Sequence, residues 1–221
     1  MCINFLLSNG AKAQTYSNKS SFDRFFYGGM LVLSATDYYL TQKLDVQPHK
    51  WEISPIDKLA VYSLNSKAAL SSDITAGATL TGAAALTLMI PKEDQYGYMN
   101  QLVQNIWMTG NTVQLVKILV QRSRPYANGN GYVNNGNKDD HYSFFSGHSA
   151  ITAAAASTAL IYAFRNNQSQ SVKYVAWGTG LFALTTATLR IVAGKHYPSD
   201  VLTGILFGTG ISLINAQIHK P

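Results

Sequence analysis

Six apolar segments, separated by short polar breaks, run along this 221-residue chain and constrain its fold more than any other feature. They cover residues 22–40, 74–90, 97–120, 148–164, 172–194 and 200–218. No stretch alternates polar and apolar residues for long enough to build a sheet, and no internal repeat is present. The pattern therefore predicts an all-α fold, a bundle of five or six mostly membrane-spanning helices.

The length and polarity of each segment bear on whether it crosses a bilayer. A crossing helix needs about 20 mainly apolar residues, and the last three segments reach this length or come within one turn of it. Segment 74–90 is equally apolar but short, and segment 97–120 carries six Asn and Gln side chains, which confine any lipid contact to one face. Segment 22–40 is the weakest. It spans, lies on the membrane surface, or packs across the bundle.

The chain is divided by composition into three regions. Residues 1–14 look like a truncated secretory signal with a small-x-small cleavage pattern, or else a frayed N-terminus. Residues 15–73 hold the weak apolar helix and an interfacial linker with a short amphipathic helix, and residues 74–221 form the helical core. The single cysteine, Cys2, has no partner for an internal disulfide, so we assign it no role.

Charge argues against two classes of protein. The net charge is +6, but the 17 basic residues are spread along the chain without a run of five, so we expect no nucleic-acid partner. From residue 95 onward the only acids are Asp139, Asp140 and Asp200. Two-metal phosphatases need more carboxylate ligands. Asp139, Asp140 and His141 together have donors for one ion, but a solvated loop is the favoured interpretation, and we expect no metal and no cofactor.

A first cluster of polar residues ends the third segment. Lys117 and Arg124 are seven residues apart, about two helical turns, so both side chains project from one face before Pro125 ends the helix. Taken alone, this pair is more typical of a basic cap that reaches lipid headgroups.

A second cluster, Ser146, Gly147 and His148, opens the fourth segment. Ser146 is a good N-cap, and Gly147 allows a ligand to approach the backbone, where free N–H groups and the helix dipole favour an anion. Taken alone, His148 is more typical of a capping or core residue than of a catalyst.

A third cluster separates the fifth and sixth segments. Arg190 ends one segment, His196 follows a Gly-Lys turn, and Asp200 lies four residues further on. At that spacing the carboxylate can reach Nδ1 of the imidazole, which leaves Nε2 free as a nucleophile. A structural His–Asp cap is the alternative.

Taken together, Lys-x6-Arg-Pro, Ser-Gly-His and Arg-x5-His-x3-Asp resemble the three-part signature of the type 2 phosphatidic acid phosphatase (PAP2) superfamily. That superfamily also includes bacterial acid phosphatases and vanadium haloperoxidases. The resemblance spans residues 117 to 200, and the helix pattern around it is similar to the membrane branch. Two positions depart from the family: Phe145 replaces the usual Pro before Ser-Gly-His, and Leu189 replaces a frequent Ser. Neither supplies a reacting group, but the departures leave the fit of the substrate open.

The resemblance implies a role for each matching residue. His196 would attack phosphorus, His148 would protonate the leaving group, and Asp200 would orient His196. The phosphate oxygens would be held by Lys117, Arg124, Ser146, Gly147 and Arg190.

The expected function is a membrane phosphatase that acts without metal on a lipid phosphate. The three clusters lie at segment ends separated by odd numbers of crossings, which places them at one membrane face. By resemblance to bacterial relatives, this is the periplasmic face of the inner membrane. We expect a lipid phosphate and the bilayer as partners, and no obligatory protein partner. The alternatives are a soluble periplasmic acid phosphatase, a vanadate-dependent haloperoxidase, although such enzymes are generally much longer, and a non-enzymatic membrane protein with a vestigial site.

Overall fold

The protein was analysed as a computed structural model that describes residues 20–46 and 53–219. Every regular element in these residues is helical, which confirms the all-α prediction. The long helices are α1 (Ser20–Lys43), α2 (Ser66–Ala85), α3 (Lys92–Val120), α4 (Gly147–Arg165), α5 (Gln170–Val192) and α6 (Pro198–Ile218). Short 3₁₀ helices lie in the connections, at Pro55–Leu59, Leu86–Met89, Pro125–Asn128 and Lys138–His141.

The six helices follow the six apolar segments, with one notable difference at α2. This helix begins at Ser66, well before residue 74, because the side chain of Asn65 caps it by accepting a hydrogen bond from the Ala68 N–H at 3.1 Å. The predicted boundary between residues 73 and 74 therefore falls inside a helix. The predicted signal segment, 1–14, and linker residues 47–52 lie outside the described residues.

Helix α4 is the centre of the bundle and packs against α2, α3, α5 and α6. Its sequence is rich in alanine, and Ala154, Ala155 and Ala159 are completely buried. Small side chains let neighbouring helix backbones approach closely, which is how helices associate when they lack a hydrophobic drive from water. This central position sets the N-terminus of α4 among the ends of its neighbours.

The closest approach is between α4 and α6. Gly204 and Gly208 form a G-x-x-x-G pair on α6, and a Cβ atom at Gly208 would overlap the carbonyl oxygen of Ala150. One turn earlier, a Cβ atom at Gly204 would lie 2.7 Å from the Ser146 oxygen. The contact holds the first turn of α6 against that of α4, where the Ser146 N–H donates to the Asp200 carbonyl oxygen at 3.0 Å.

Polar side chains join α1 to α3 along their length. The contacts recur every seven residues in both helices and run in the same direction, so the two helices are parallel. They pair Tyr27 with Asn100, Ser34 with Trp107 and Asn111, and Thr41 with Gln114. The amide side chains of the third segment thus face α1 on this side, and α1 packs along the bundle.

Two helices in the described part of the chain, α5 and α6, are long and apolar enough to cross a membrane. Their outward faces carry large exposed hydrophobic side chains, among them Leu181, Leu184, Leu202, Leu206 and Ile214. Exposed apolar surface on this scale is unusual in soluble monomers. That these or any other helices cross a membrane stays a prediction.

Candidate active site

The three polar clusters meet at one end of the bundle. The C-terminus of α3, the N-terminus of α4 and the turn between α5 and α6 come together there, although up to 83 residues separate their members in sequence. The residues brought together are Lys117, Arg124, Ser146, Gly147, His148, Arg190, His196 and Asp200.

His196 lies at the centre of this cluster and is completely buried. It follows a turn in which Gly194 has φ of +69°, and a Cβ atom there would overlap the backbone oxygen of Ser63. The imidazole Nδ1 lies 2.8 Å from the carbonyl oxygen of Ser143. Because a carbonyl oxygen can only accept, Nδ1 carries the proton, and the lone pair of Nε2 accepts a hydrogen bond from Arg124 Nη1 at 3.2 Å.

Asp200 does not make the hydrogen bond to His196 Nδ1 that the sequence predicted. Its Oδ2 is 3.7 Å from His196 Nδ1, too far for a hydrogen bond, and the Ser143 carbonyl takes that place. The carboxylate is held by other donors. The Ser143 hydroxyl and the Tyr197 N–H donate to Oδ2 at 2.5 and 3.0 Å, and Arg122 donates to Oδ1 at 2.5 Å. Asp200 therefore acts on His196 through charge and through Ser143.

Arg124 lies beside the reactive nitrogen of His196. Its buried guanidinium places Nη1 3.2 Å from Nε2, and the same Nη1 donates to the Lys195 carbonyl oxygen at 3.0 Å. On its other side, Nη2 pairs with the carboxylate of Asp139 at 2.7 Å. Burial raises the pKa of Asp139, but the charge and hydrogen bond of Arg124 outweigh it, so this pKa falls below its ordinary value.

Arg190 and His148 share a carboxylate that the motifs do not contain. Asp73 on α2 lies 2.9 Å from His148 Nε2 and 3.4 Å from Arg190 Nη1. The hydroxyl of Ser72 accepts from the same Nη1 at 3.1 Å. Asp73 is 117 residues from Arg190 and belongs to no signature, so the sequence carried no signal for this contact.

Lys117 and Gly147 face each other across the α3–α4 interface. A Cβ atom at Gly147 would lie 3.8 Å from Lys117 Nζ and 3.2 Å from Val113, so a larger residue would crowd the ammonium group. Ser146 is buried and caps α4, with its hydroxyl accepting from the Ser149 N–H at 3.4 Å and from the Ser149 hydroxyl at 2.9 Å. The free backbone N–H groups of the first turn of α4 thus lie beside a cation.

The electrostatics of the site favour the neutral form of His196. Burial and then the positive charge of Arg124 lower the pKa of His196 well below its ordinary value of 6.5. Lys117, Arg190 and His148 act in the same direction. A neutral imidazole with a lone pair at Nε2 is the form that can attack an electrophile.

A buried ionic network lies directly behind the site, and the three motifs do not predict it. Arg122 pairs with Asp57 at 2.8 Å and with Asp200 at 2.5 Å, and its side chain is only 7% exposed. The Ser199 N–H and hydroxyl also donate to Asp57, at 2.9 and 2.8 Å. Arg122 is two residues before Arg124 in "RSRP", which is the one sequence hint of its role. Asp57 lies in the linker, where no sequence pattern indicates its role.

The remaining loop residues make structural contacts. Asp140 accepts from the hydroxyls of Tyr126 and Tyr132, and His141 Nδ1 lies 2.8 Å from the Ser123 hydroxyl. No group of three or more His, Cys, Asp or Glu with the geometry to hold a metal occurs in residues 20–46 and 53–219. Phe145, which departs from the family pattern, is buried against Phe207 of α6.

Comparisons with known proteins identify the family of the chain. Undecaprenyl-diphosphatase of Sulfolobus acidocaldarius is 33% identical over 84 residues, which are 38% of this chain and 36% of the relative. The match thus spans about a third of that curated relative. No solved structure shows a significant match. A family model described as PAP2 superfamily matches residues 99–221, more than half of the chain and the whole of the site from Lys117 to Asp200, and the chain therefore belongs to the PAP2 superfamily.

Proposed function

We propose that this protein is a membrane-embedded phosphatase that removes a phosphate from a lipid phosphomonoester or diphosphate through a phosphohistidine intermediate. The observation that supports it most is the setting of His196. Its unprotonated Nε2 lies 3.2 Å from an arginine nitrogen, inside a cluster that also holds Lys117 and Arg190. Such a site presents a nucleophile to phosphorus while cations hold the phosphate oxygens.

The first step forms one bond and breaks another at phosphorus. Nε2 of His196 attacks in line, and the bond from phosphorus to the leaving oxygen breaks as the phosphorus–nitrogen bond forms. His148 gives its proton to the leaving oxygen as general acid. Nδ1 keeps its proton, held on the Ser143 carbonyl, and Asp200 offsets the positive charge that develops on the ring.

The second step returns the enzyme to its starting state. A water molecule attacks phosphorus, its proton passes to His148, and the phosphorus–nitrogen bond breaks. Inorganic phosphate leaves, and His196 is again neutral. His148 thus serves as general acid in the first step and as general base in the second.

The site has enough positive charge for a phosphoryl group without a metal ion. Lys117, Arg124 and Arg190 surround His196, and the N-terminus of α4 points its free N–H groups to the same place. Preorganised charge around the equatorial oxygens is what phosphoryl transfer mainly requires.

A groove between α3 and α4 supports a lipid as the substrate. It has a volume of about 380 Å³ and is lined by Val103, Ile106, Trp107, Gly110, Asn111 and Ile151. The groove and the site lie along the same α3–α4 interface, where Gly110 faces Ile151 and Gly147 faces Val113 and Lys117. Gly110 precedes Lys117 by seven residues, about 10 Å along the helix. A hydrocarbon tail bound in the groove would therefore place its phosphate at Lys117.

The substrate class follows from the tail, the phosphate site and the apolar outer faces of α5 and α6. The candidates are undecaprenyl diphosphate, phosphatidylglycerol phosphate, phosphatidic acid and a lipid A phosphate. The name of the Sulfolobus relative favours the diphosphate. In this proposal the bundle lies in a bacterial inner membrane with the site at the periplasmic face, in keeping with the resemblance to bacterial relatives.

Phosphate release by the detergent-purified protein tests the function. We expect release from at least one of these lipid phosphates, unchanged by EDTA, because side-chain cations carry the charge that a metal would. Loss of activity in EDTA would contradict the metal-independent mechanism. Activity confined to an aryl phosphate, in a protein that is soluble without detergent, would favour an acid phosphatase. A folded protein that is inactive on every substrate would favour the non-enzymatic alternative.

Replacing Gly110 with leucine tests the groove. A Cβ atom at this position would make an ordinary contact with Ile151 at 3.9 Å, so the longer leucine side chain extends into the groove without strain at the backbone. We expect KM for a long-chain lipid phosphate to rise about tenfold, the effect of losing about two methylene contacts. KM for a water-soluble short-chain analogue should stay unchanged.

The matched control is Gly178→Leu on α5, where a Cβ atom would meet nothing within 4 Å. It should change neither KM. Equal KM values for the long-chain lipid in Gly110→Leu and in the parent protein would exclude the groove as the tail site.

A further inference from the structure

Helix α2 contributes an acid to the site although it lies outside the three motifs. Asp73 reaches both His148 Nε2, at 2.9 Å, and Arg190 Nη1, at 3.4 Å. Its own side chain is 55% exposed, whereas Arg190 is buried and the His148 side chain is 38% exposed. One carboxylate therefore bridges the candidate general acid and a phosphate-binding cation at the mouth of the site.

The geometry on the Arg190 side leaves the guanidinium available to a substrate. Both contacts from α2, Ser72 at 3.1 Å and Asp73 at 3.4 Å, are to Nη1. The Nε atom is buried without a hydrogen-bond partner in the described part of the chain. Helix α2 thus holds the group by one nitrogen and leaves its other donors for an anion.

The contact on the His148 side opposes the loss of the proton from the ring. Burial and then the charge of Arg190 lower the pKa of His148 to about 4, and Lys117 acts in the same direction. The Asp73 carboxylate accepts a hydrogen bond from Nε2–H, and its negative charge opposes this lowering. The imidazolium is the form of His148 that can donate a proton to a leaving oxygen.

We propose that Asp73 is a positioning residue for the reaction, which orients His148 for proton transfer while it holds Arg190 against the phosphate. This inference rests on the proposed phosphatase function. It predicts that the loss of Asp73 affects turnover in proportion to how much the leaving group needs a proton.

Comparing two leaving groups in Asp73→Asn tests this role. The variant keeps the size of the side chain and removes its charge. For phosphatidic acid, whose leaving alcohol needs a proton, kcat should fall about 10- to 100-fold, a part of the ~10²–10⁴-fold value of a general acid. For p-nitrophenyl phosphate, whose leaving group is stable as an anion, kcat should fall no more than about threefold. Asp73→Glu should restore part of the loss.

Two further variants serve as a positive and a negative control. His148→Ala should show the same dependence on the leaving group with a larger amplitude, and Glu93→Gln, an exposed acid at the opposite end of α3, should change neither rate. Equal losses on both substrates in Asp73→Asn, or no loss on either, would overturn the positioning role. Full activity of His196→Ala would instead contradict the proposed phosphatase mechanism itself, so the two failures are distinguishable.

Discussion

Replacing His196 with alanine is expected to lower kcat for phosphate release by about 10⁴-fold or more, the scale seen when a covalent nucleophile is removed. Lys117, Arg124 and Arg190 are cations, and Nε2 of His148 contacts Asp73, which leaves Nε2 of His196 as the nucleophile in this proposal. The residual rate would come from the cation cluster alone. KM should change little, since the phosphate-binding groups remain in place.

The measurement has two parts. Steady-state phosphate release gives kcat, and rapid mixing followed by an alkaline quench traps the phosphorylated enzyme, which peptide mass spectrometry assigns to the peptide that contains His196. The control is His141→Ala, a loop histidine whose recorded partner is the Ser123 hydroxyl and which should keep its activity. Wild-type turnover in His196→Ala, or a phosphoryl group trapped on another residue, would rule out this nucleophile.

Replacing Arg122 with methionine is expected to destabilise the protein by about 3–5 kcal/mol. The change removes the shared partner of two buried carboxylates, Asp57 and Asp200, and leaves their charges without compensation. For a chain of this length the midpoint of thermal unfolding should fall by about 10 °C. Activity should also fall, because Asp200 holds the Ser143 hydroxyl and the Ser143 carbonyl fixes the tautomer of His196.

Thermal unfolding in detergent, followed by circular dichroism, measures this effect. Lys58→Met is the matched control, since Lys58 is exposed on the same short 3₁₀ helix as Asp57 and should leave the midpoint unchanged. Adding Asp57→Asn to Arg122→Met should recover part of the stability, since it neutralises one of the stranded charges. An unchanged midpoint in Arg122→Met would show that the network does not stabilise the fold.

The helices could be predicted from the sequence because their signals are local. Each signal depends on only a few neighbouring residues. These signals are the apolar runs of helical length, the Asn and Gly residues of the long loop, and Pro198 in the first turn of α6. The beginning of α2 was harder. Its first turns, "SKAALSSD", are polar enough to resemble a linker, and the Asn65 cap that starts the helix is a weak signal by itself.

The candidate reacting residues could also be predicted from the sequence, since they come in three short motifs at helix ends. Asp73, Asp57 and Ser143 were not. Each acts on a motif residue from a distant part of the chain, and no local pattern shows that an acid on α2 will meet His148, or that a carbonyl and not Asp200 will accept from His196 Nδ1.

The helical class, the six apolar segments and the candidate reacting groups could all be predicted from the sequence, since helix formation and motif spacing depend on residues close together in the chain. The orientation of those groups depends on how the helices pack. The glycines of α6 bring Asp200 against the first turn of α4, and the packing of α2 brings Asp73 to His148 and Arg190. These contacts depend on how closely helix backbones approach, which only the packed bundle defines.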